Sequence, residues 1–345
     1  MIRPVFLLLV CLIGAVLPSN SEEVLGQGEF CYRVVPGWGN EALAQVKVKN
    51  GHAVALDAAG RLFFLTDDAR NNVVILDAKS GGMIKQWTAR MPGAHGMSLI
   101  REGEREVLYI TDTQLHEVRK LTLDGEELAH YPWPEGAKLH ASANEYRPSK
   151  TIHFPDGSFC VFDGYGKDYI FHYKPDGTLL RWWGGNLGEG ENQLKHWGPH
   201  GGALERSDFV SDSAKTRVIV AMSDQQEIKR FTAEGRFIDK IPMPGGNPRD
   251  IVFWGEHILV PHLGDQWPKD RNSSGFISIV DREYRIVSNI GAPAAVYVDG
   301  VLQPMQSDRK TFIHPHGVAV DGEGNLYVAQ FSSPAAPLLK LERVR

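Results

Sequence analysis

The sequence predicts an all-β chain folded as a six-bladed β-propeller, and three observations carry that expectation. A phrase recurs: His316-Gly317-Val318-Ala319-Val320-Asp321, followed by Gly324-Asn325-Leu326-Tyr327-Val328, has counterparts at His52, His95 and His200. Each copy reads as a short apolar strand, a Gly or Asp turn, a second apolar strand ending in a polar loop, and two further strands around another turn. That is the strand order of one four-stranded blade. Finally, 345 residues with 42% hydrophobic content can bury one large β domain, and internal repeats favour one domain over two.

The N-terminus stands apart from the repeats. Arg3 precedes an apolar run from Val5 to Leu17, then Pro18, Ser19, Asn20 and Ser21. This is a signal-peptide pattern, too short for a comfortable membrane anchor, and it places cleavage near Ser21. The expected organisation is a signal peptide over 1–21 and a propeller over 22–345, exported to the periplasm or the extracellular space. No later apolar run suits a membrane helix. A net charge of −5 without a basic stripe argues against nucleic acid as a partner. With Cys11 lost in the signal peptide, Cys31 and Cys160 remain. Cys160 lies in the apolar run Ser158 to Phe162, where a small buried residue fits, so free thiols are favoured over a disulfide.

Blade one reads His52 to Asp57, Arg61 to Leu65, Val73 to Leu76 and Met83 to Trp87. Blade two runs from His95 through Val107 to Ile110 and Val118 to Leu121, to about Tyr131. Blade three begins near Pro148-Ser149 and holds Phe159 to Phe162, Tyr169 to Tyr173 and Leu179 to Trp183. Blade four starts at Pro199-His200, blade five at Pro248-Arg249 and blade six at Pro315-His316. Blade six ends after a third strand, Leu338 to Leu341, so its fourth must come from elsewhere. Glu29 to Val35 is the donor, which closes the ring and removes an exposed sheet edge. The inserts Glu102 to Glu106, Glu126 to Arg147, Glu205 to Ala214 and Asp265 to Gly275 are assigned to connecting loops, and Gly291 to Thr311 is long enough to cover one face. The eight Trp are expected mainly as wedges between blades, with one or two lining a binding face for peptide or sugar as the alternative.

The first strand of a blade lines the axis, and the loop between the second and third strands returns to the same face. The opening position reads His52, His95, Ser149, His200, Arg249, His316. The loop supplies Asp67 and Asp68, Asp112 and Thr113, Asp163 with Tyr165, Asp224, His262 and Gln330. Alternate blades of a sixfold ring are related by about 120°, so His95, His200 and His316 can meet on the axis. Three imidazoles with an open position form a catalytic rather than a structural zinc pattern, although iron, copper or nickel accept the same donors. The plain alternative is that Pro-His-Gly merely opens a strand, with the imidazole bonded to a neighbouring carbonyl. His52 and His314 are open between ligand, orienting donor and surface group.

Leu108 to Leu121, Phe162-Asp163-Gly164-Tyr165, Gly198-Pro199-His200 and Gly264-Asp265-Gln266 resemble peptidyl-α-hydroxyglycine α-amidating lyase, a six-bladed propeller of NHL-type repeats, over roughly residues 45 to 345. The chain is also similar to exported bacterial NHL propellers that share the Asp-Gly-Tyr-Gly phrase. The lyase resemblance implies a zinc ion (Zn2+) on His95, His200 and His316, Tyr165 as base on a substrate hydroxyl, and Arg249 beside the active site. The implied reaction splits a carbinolamide into a peptide amide and glyoxylate.

Two departures stand out. Asp67 occupies the place of a substrate-positioning arginine, and Arg70, three residues on, is a candidate to reach in instead; His262 joins these as a substrate-binding candidate. The family's Met-Pro-His-Asp phrase is His314-Pro315-His316-Gly317 here, which removes a carboxylate from the family's calcium site. Calcium (Ca2+) then rests on backbone carbonyls such as those of Val54 and Met97, fewer anionic oxygens than hard cations want. The expected substrate is a small molecule or peptide derivative, handled by a monomer. The rival functions are a non-catalytic propeller that binds protein or glycan, and a zinc-dependent hydrolase.

Overall fold

Side chains alternate across a strand, so each inner strand of a radial blade must bury both faces, one against each neighbouring blade. The sequence obeys this in blade one: Leu62 and Phe64 pack toward blade six, with Tyr327, Ala329 and Leu338, while Phe63 and Leu65 pack toward blade two, with Met97, Leu108 and Ile110. Blade five repeats it. Ile258 and Val260 face Ile219 and Ala221 of blade four, and Leu259 and Ile277 face Val318 and Val328 of blade six. Six apolar clusters result, one for each blade interface. Burial of this kind contributes about 25 cal/mol per Å2 of apolar surface.

The computed structural model describes residues 23–187, 189–205 and 216–344. The expected signal peptide and Cys11 lie outside them, as does the insert Glu205 to Ala214 apart from Glu205. Four antiparallel strands form each of blades one to four: Gly51–Leu56 to Met83–Trp87, Ala94–Glu102 to Glu127–Pro132, Lys150–His153 to Leu179–Gly184, and Pro199–Leu204 to Phe237–Pro242. Blade five comprises Val252–Trp254, His257–His262, Ser274–Val280 and Ile286–Ile290. Blade six has Pro315–Val320, Leu326–Gln330 and Leu338–Val344.

The last blade is completed from the N-terminus, as the missing strand predicted. Phe30–Val34 pairs antiparallel with Leu338–Val344 in the register Cys31 to Val344 and Val34 to Leu341. Leu25–Gln27 adds a fifth strand outside it. Tyr32 is fully buried there, with Phe30 and Leu25 in the cluster shared by blades five and six.

Several loop assignments change. Glu102 to Glu106 is the tip of a long hairpin, because Ala94–Glu102 and Arg105–Asp112 stay paired out to Glu102 and Arg105. Glu126 to Arg147 contains the outer strand of blade two, Glu127–Pro132, before two short 3-10 turns. Gly291 to Thr311 does not cover the cavity on the axis. It carries a small hairpin, Tyr297–Val298 with Val301–Leu302, and is fastened to blades four and five, where Met305 packs near Ile219 and Ile258 and its N–H donates to Pro244. Cys31 and Cys160 are both free thiols. No helix among the described residues is long and apolar enough to cross a membrane.

Candidate metal centre

The opening histidines owe their direction to β-bulges. In blade four Pro199 pairs with Met222 and Gly201 with Ala221, which leaves His200 as the extra residue; His52 and His316 are extra in the same way, and His95-Gly96 share one bulge in blade two. A bulge bends the strand and re-aims the side chain it carries. Blade three pairs Lys150 with Phe162 without a bulge, and Ser149 stands at its opening instead.

The glycine after each of three histidines lets adjacent blades touch. A Cβ at Gly96 would lie 2.3 Å from the carbonyl oxygen of Ser149, at Gly201 2.3 Å from that of Arg249, and at Gly317 2.8 Å from that of His52. Those same carbonyls accept the imidazoles. His95 Nδ1 meets Ser149 O at 2.9 Å, His200 Nδ1 meets Arg249 O at 2.7 Å, and His316 Nδ1 meets His52 O at 2.7 Å. Each even-numbered blade is thereby tied to the opening residue of the next odd one. A carbonyl only accepts, so the proton sits on Nδ1 and the lone pair on Nε2.

The three rings form a nearly equilateral triangle, with centroids 4.8 Å apart for His95 and His200, 4.8 Å for His95 and His316, and 4.7 Å for His200 and His316. His52 lies beside the edge shared by His95 and His316, at 4.9 and 5.0 Å. Burial holds all three Nδ1-tethered histidines well below the usual imidazole pKa, and the positive charge of neighbouring histidines and Arg249 adds to it. They are neutral bases with inward lone pairs, the state a metal requires.

Tyr165 completes the floor. It sits in the loop between Phe159–Phe162 and Tyr169–Tyr173, and its hydroxyl lies 3.1 Å from His95 Nε2 and 2.7 Å from His200 Nε2. One phenol hydrogen cannot serve two acceptors. The donor set is therefore one positive partner short, and a divalent ion would satisfy it. Burial pushes the Tyr165 phenol above its usual range; Arg249 opposes this and Asp224 reinforces it.

Above this floor is a cavity of about 250 Å3, lined among others by Tyr165, Arg249, Asp67, Trp197, Trp267 and Phe331. Arg249 is 2% exposed, and its Nε and Nη2 have no hydrogen-bond partner. Burial lowers its pKa while Tyr165 and Asp224 support its charge. A buried guanidinium with idle N–H groups is a ready site for a carboxylate. No ion pair joins it to Asp67 among the described residues.

Asp67 accepts hydrogen bonds from the main-chain N–H of Asn50 at 3.1 Å and its Nδ2 at 2.8 Å, and lies 3.5 Å from His52 Nε2. Burial works against its ionisation, but His52, Asn50 and Lys49 outweigh that and hold its pKa below the ordinary value. Arg70 and His262 are not brought to the cavity. Arg70 is exposed and folds back onto Asp68 at 2.5 Å. His262 is buried inside blade five, stacked on Phe276, with Nε2 3.0 Å from Ser278 Oγ. His314 is occupied by the main chain on both sides: its Nδ1 accepts from Gly264 N–H and its Nε2 donates to Arg271 O, which steadies the loop carrying Trp267. Among the described residues, the grouping of three or more metal-ligating side chains is His52, His95 and His316, whose ligand atoms lie within 4.8 Å of one another. Among the described residues no carboxylate cluster supports calcium. Of the eight Trp, expected mainly as wedges with one or two on a binding face, Trp197 and Trp267 line the cavity, joined by Phe331, which the sequence reading did not single out. Trp267 and Phe331 stand on the loops between the second and third strands of blades five and six, and Trp197 just before the first strand of blade four.

No protein-family model matches the chain, and no curated protein matches it. Among solved structures it is similar to a streptogramin B lyase, with TM-score 0.54 at 15% identity over 86% of this chain and 94% of that one. It is similar also to a gluconolactonase from Xanthomonas campestris, with TM-score 0.54 at 15% identity over 94% and 98%. A luciferin-regenerating enzyme gives TM-score 0.54 at 14% identity over 87% and 93%. At such identities the likeness establishes the six-bladed propeller fold.

Proposed function

We propose that the protein is a zinc-dependent propeller enzyme that cleaves a peptidyl-α-hydroxyglycine into a peptide amide and glyoxylate. The observation that carries this reading is the convergence of Tyr165 with the Nε2 atoms of His95 and His200 beneath a buried, unpaired Arg249. His95, His200 and His316 would hold the ion through Nε2. Bound there, zinc supplies a Lewis acid that lowers the pKa of a neighbouring hydroxyl or phenol.

The remaining roles belong to the chain. Arg249 binds the substrate carboxylate through its idle N–H groups. Tyr165, its phenolate favoured by Arg249 and by an ion on the histidines were one bound, would take the proton of the carbinol hydroxyl. The oxygen electrons form the aldehyde carbonyl, the C–N bond breaks, and the amide nitrogen takes the proton back from Tyr165. Trp197, Trp267 and Phe331 exclude water and contact the peptide side. Asp67 is engaged with Asn50 and His52, which leaves Arg249 to the substrate. The similarity in fold to several enzymes supports catalysis over passive binding, and the N-terminal apolar run supports export.

The test is elemental mass spectrometry of the purified chain and of His200→Ala, with glyoxylate release from a synthetic peptidyl-α-hydroxyglycine. About one zinc per chain, lost in the variant, together with glyoxylate, is the expected result. Zinc without glyoxylate would redirect the reading to a hydrolase. No metal after zinc reconstitution would leave a binding propeller.

A further inference from the structure

We propose that His52 is a fourth imidazole ligand of the axial metal, bound through Nδ1, with Asp67 orienting its ring. This rests on the reading that the axial histidines hold a metal. His52 occupies the same bulged opening position in blade one that His95, His200 and His316 occupy in blades two, four and six. It is 6% exposed, its ring lies 4.9 Å from that of His95 and 5.0 Å from that of His316, and the ligand atoms of the three lie within 4.8 Å.

Its hydrogen bonding is the reverse of the others. Ala53 follows it where glycine follows the other three, and its Nδ1 finds no carbonyl: the atom is buried without a partner. Its Nε2 instead faces Asp67 Oδ2 at 3.5 Å. An ionised carboxylate draws the imidazole proton to that side, which leaves the lone pair on the orphaned Nδ1. Buried acceptors are rarely left unpaired, and an ion among the four rings supplies the partner. Asp67 is itself aimed by Asn50 N, Asn50 Nδ2 and, at 3.6 Å, Lys49 Nζ. Carboxylate, imidazole and metal then stand in the relay that commonly fixes a ligating histidine. Four neutral nitrogen donors suit iron, copper or nickel as well as zinc, and an ion of five or six coordination keeps room for substrate.

The experiment uses the full chain, stripped and reloaded with cobalt(II) or zinc as probe. The cobalt absorption spectrum, dissociation constants by chelator competition, and melting curves are recorded for wild type, His52→Gln and Asp67→Asn. Loss of His52 is expected to alter the cobalt ligand-field bands, and each substitution to weaken binding by about 10- to 100-fold. Unchanged bands and affinity in folded His52→Gln would overturn the proposal, and an unchanged Asp67→Asn would overturn the positioning role of Asp67. Should His52→Gln fail to fold, Asp67→Asn decides. Wild-type chain that takes up neither ion overturns the metal reading itself, a failure visible before any variant is compared.

Discussion

The Nδ1–H of His200 donates to the main-chain carbonyl of Arg249 at 2.7 Å, so the residue that opens blade five orients the imidazole that opens blade four. Arg249 thus works twice, through its carbonyl on a candidate ligand and through its guanidinium on the cavity. The contact depends on Gly201, whose missing Cβ lets the two inner strands approach. Gly201→Ala would place a carbon 2.3 Å from that carbonyl. It is expected to cost about 1–3 kcal/mol of stability by overpacking and to reduce zinc content, measured by chemical denaturation and elemental analysis. Wild-type values for both would show that the tether does not set the ligand.

Tyr165→Phe keeps the ring and removes the hydroxyl that lies between His95 and His200. Glyoxylate release is expected to fall by about 10²- to 10⁴-fold while zinc is retained. A variant with full turnover would remove Tyr165 from the chemistry.

Arg249→Met retains the carbonyl that orients His200 but deletes a buried charge with unpaired N–H groups. Replacing such a charge by an apolar side chain of similar length is often neutral or stabilising. The melting temperature is expected to hold or rise while KM for a carboxylate substrate increases. A fall in both stability and zinc content would mean that the guanidinium serves the fold.

His262 gives a pH dependence with a definite sign. Burial pushes its pKa down to about 3, below the unfolded value of 6.5. Its contribution to stability is fully present above pH 6.5 and is lost as pH falls toward 3, because the unfolded chain takes up the proton first. The loss amounts to roughly 1 kcal/mol per pH unit. Denaturation of wild type and His262→Gln across this range checks it: the variant's stability curve should be flatter by that slope.

Removal of residues 23–35 strips the closing strand from Leu338–Val344 and leaves buried partners of Tyr32 uncovered. The truncated chain is expected to aggregate or unfold without cooperativity, as seen by scattering and calorimetry. A monomeric, sharply melting product would show that a three-stranded sixth blade suffices.

The ring was legible in the sequence because period-2 apolar strands and the His-Gly phrase repeat, and even the donor strand followed from the missing fourth strand of blade six. The axial position of His95, His200 and His316 was legible for the same reason. What was not legible depends on where individual side chains turn. Arg70 is diverted by Asp68 two residues before it, and His262 points into its own blade rather than toward the axis. The separation of His52 from its three counterparts was written in a single residue, Ala53 in place of glycine, but its meaning needed the neighbouring carbonyl.

Ring closure has a temporal consequence. The hydrogen bond from His316 to His52 spans 264 residues and crosses the seam that Phe30–Val34 seals. The imidazole triangle therefore cannot be complete on a growing chain before blade six, which supplies His316, has been made. An ion held as proposed would meet separate histidines rather than a site until blade six is in place.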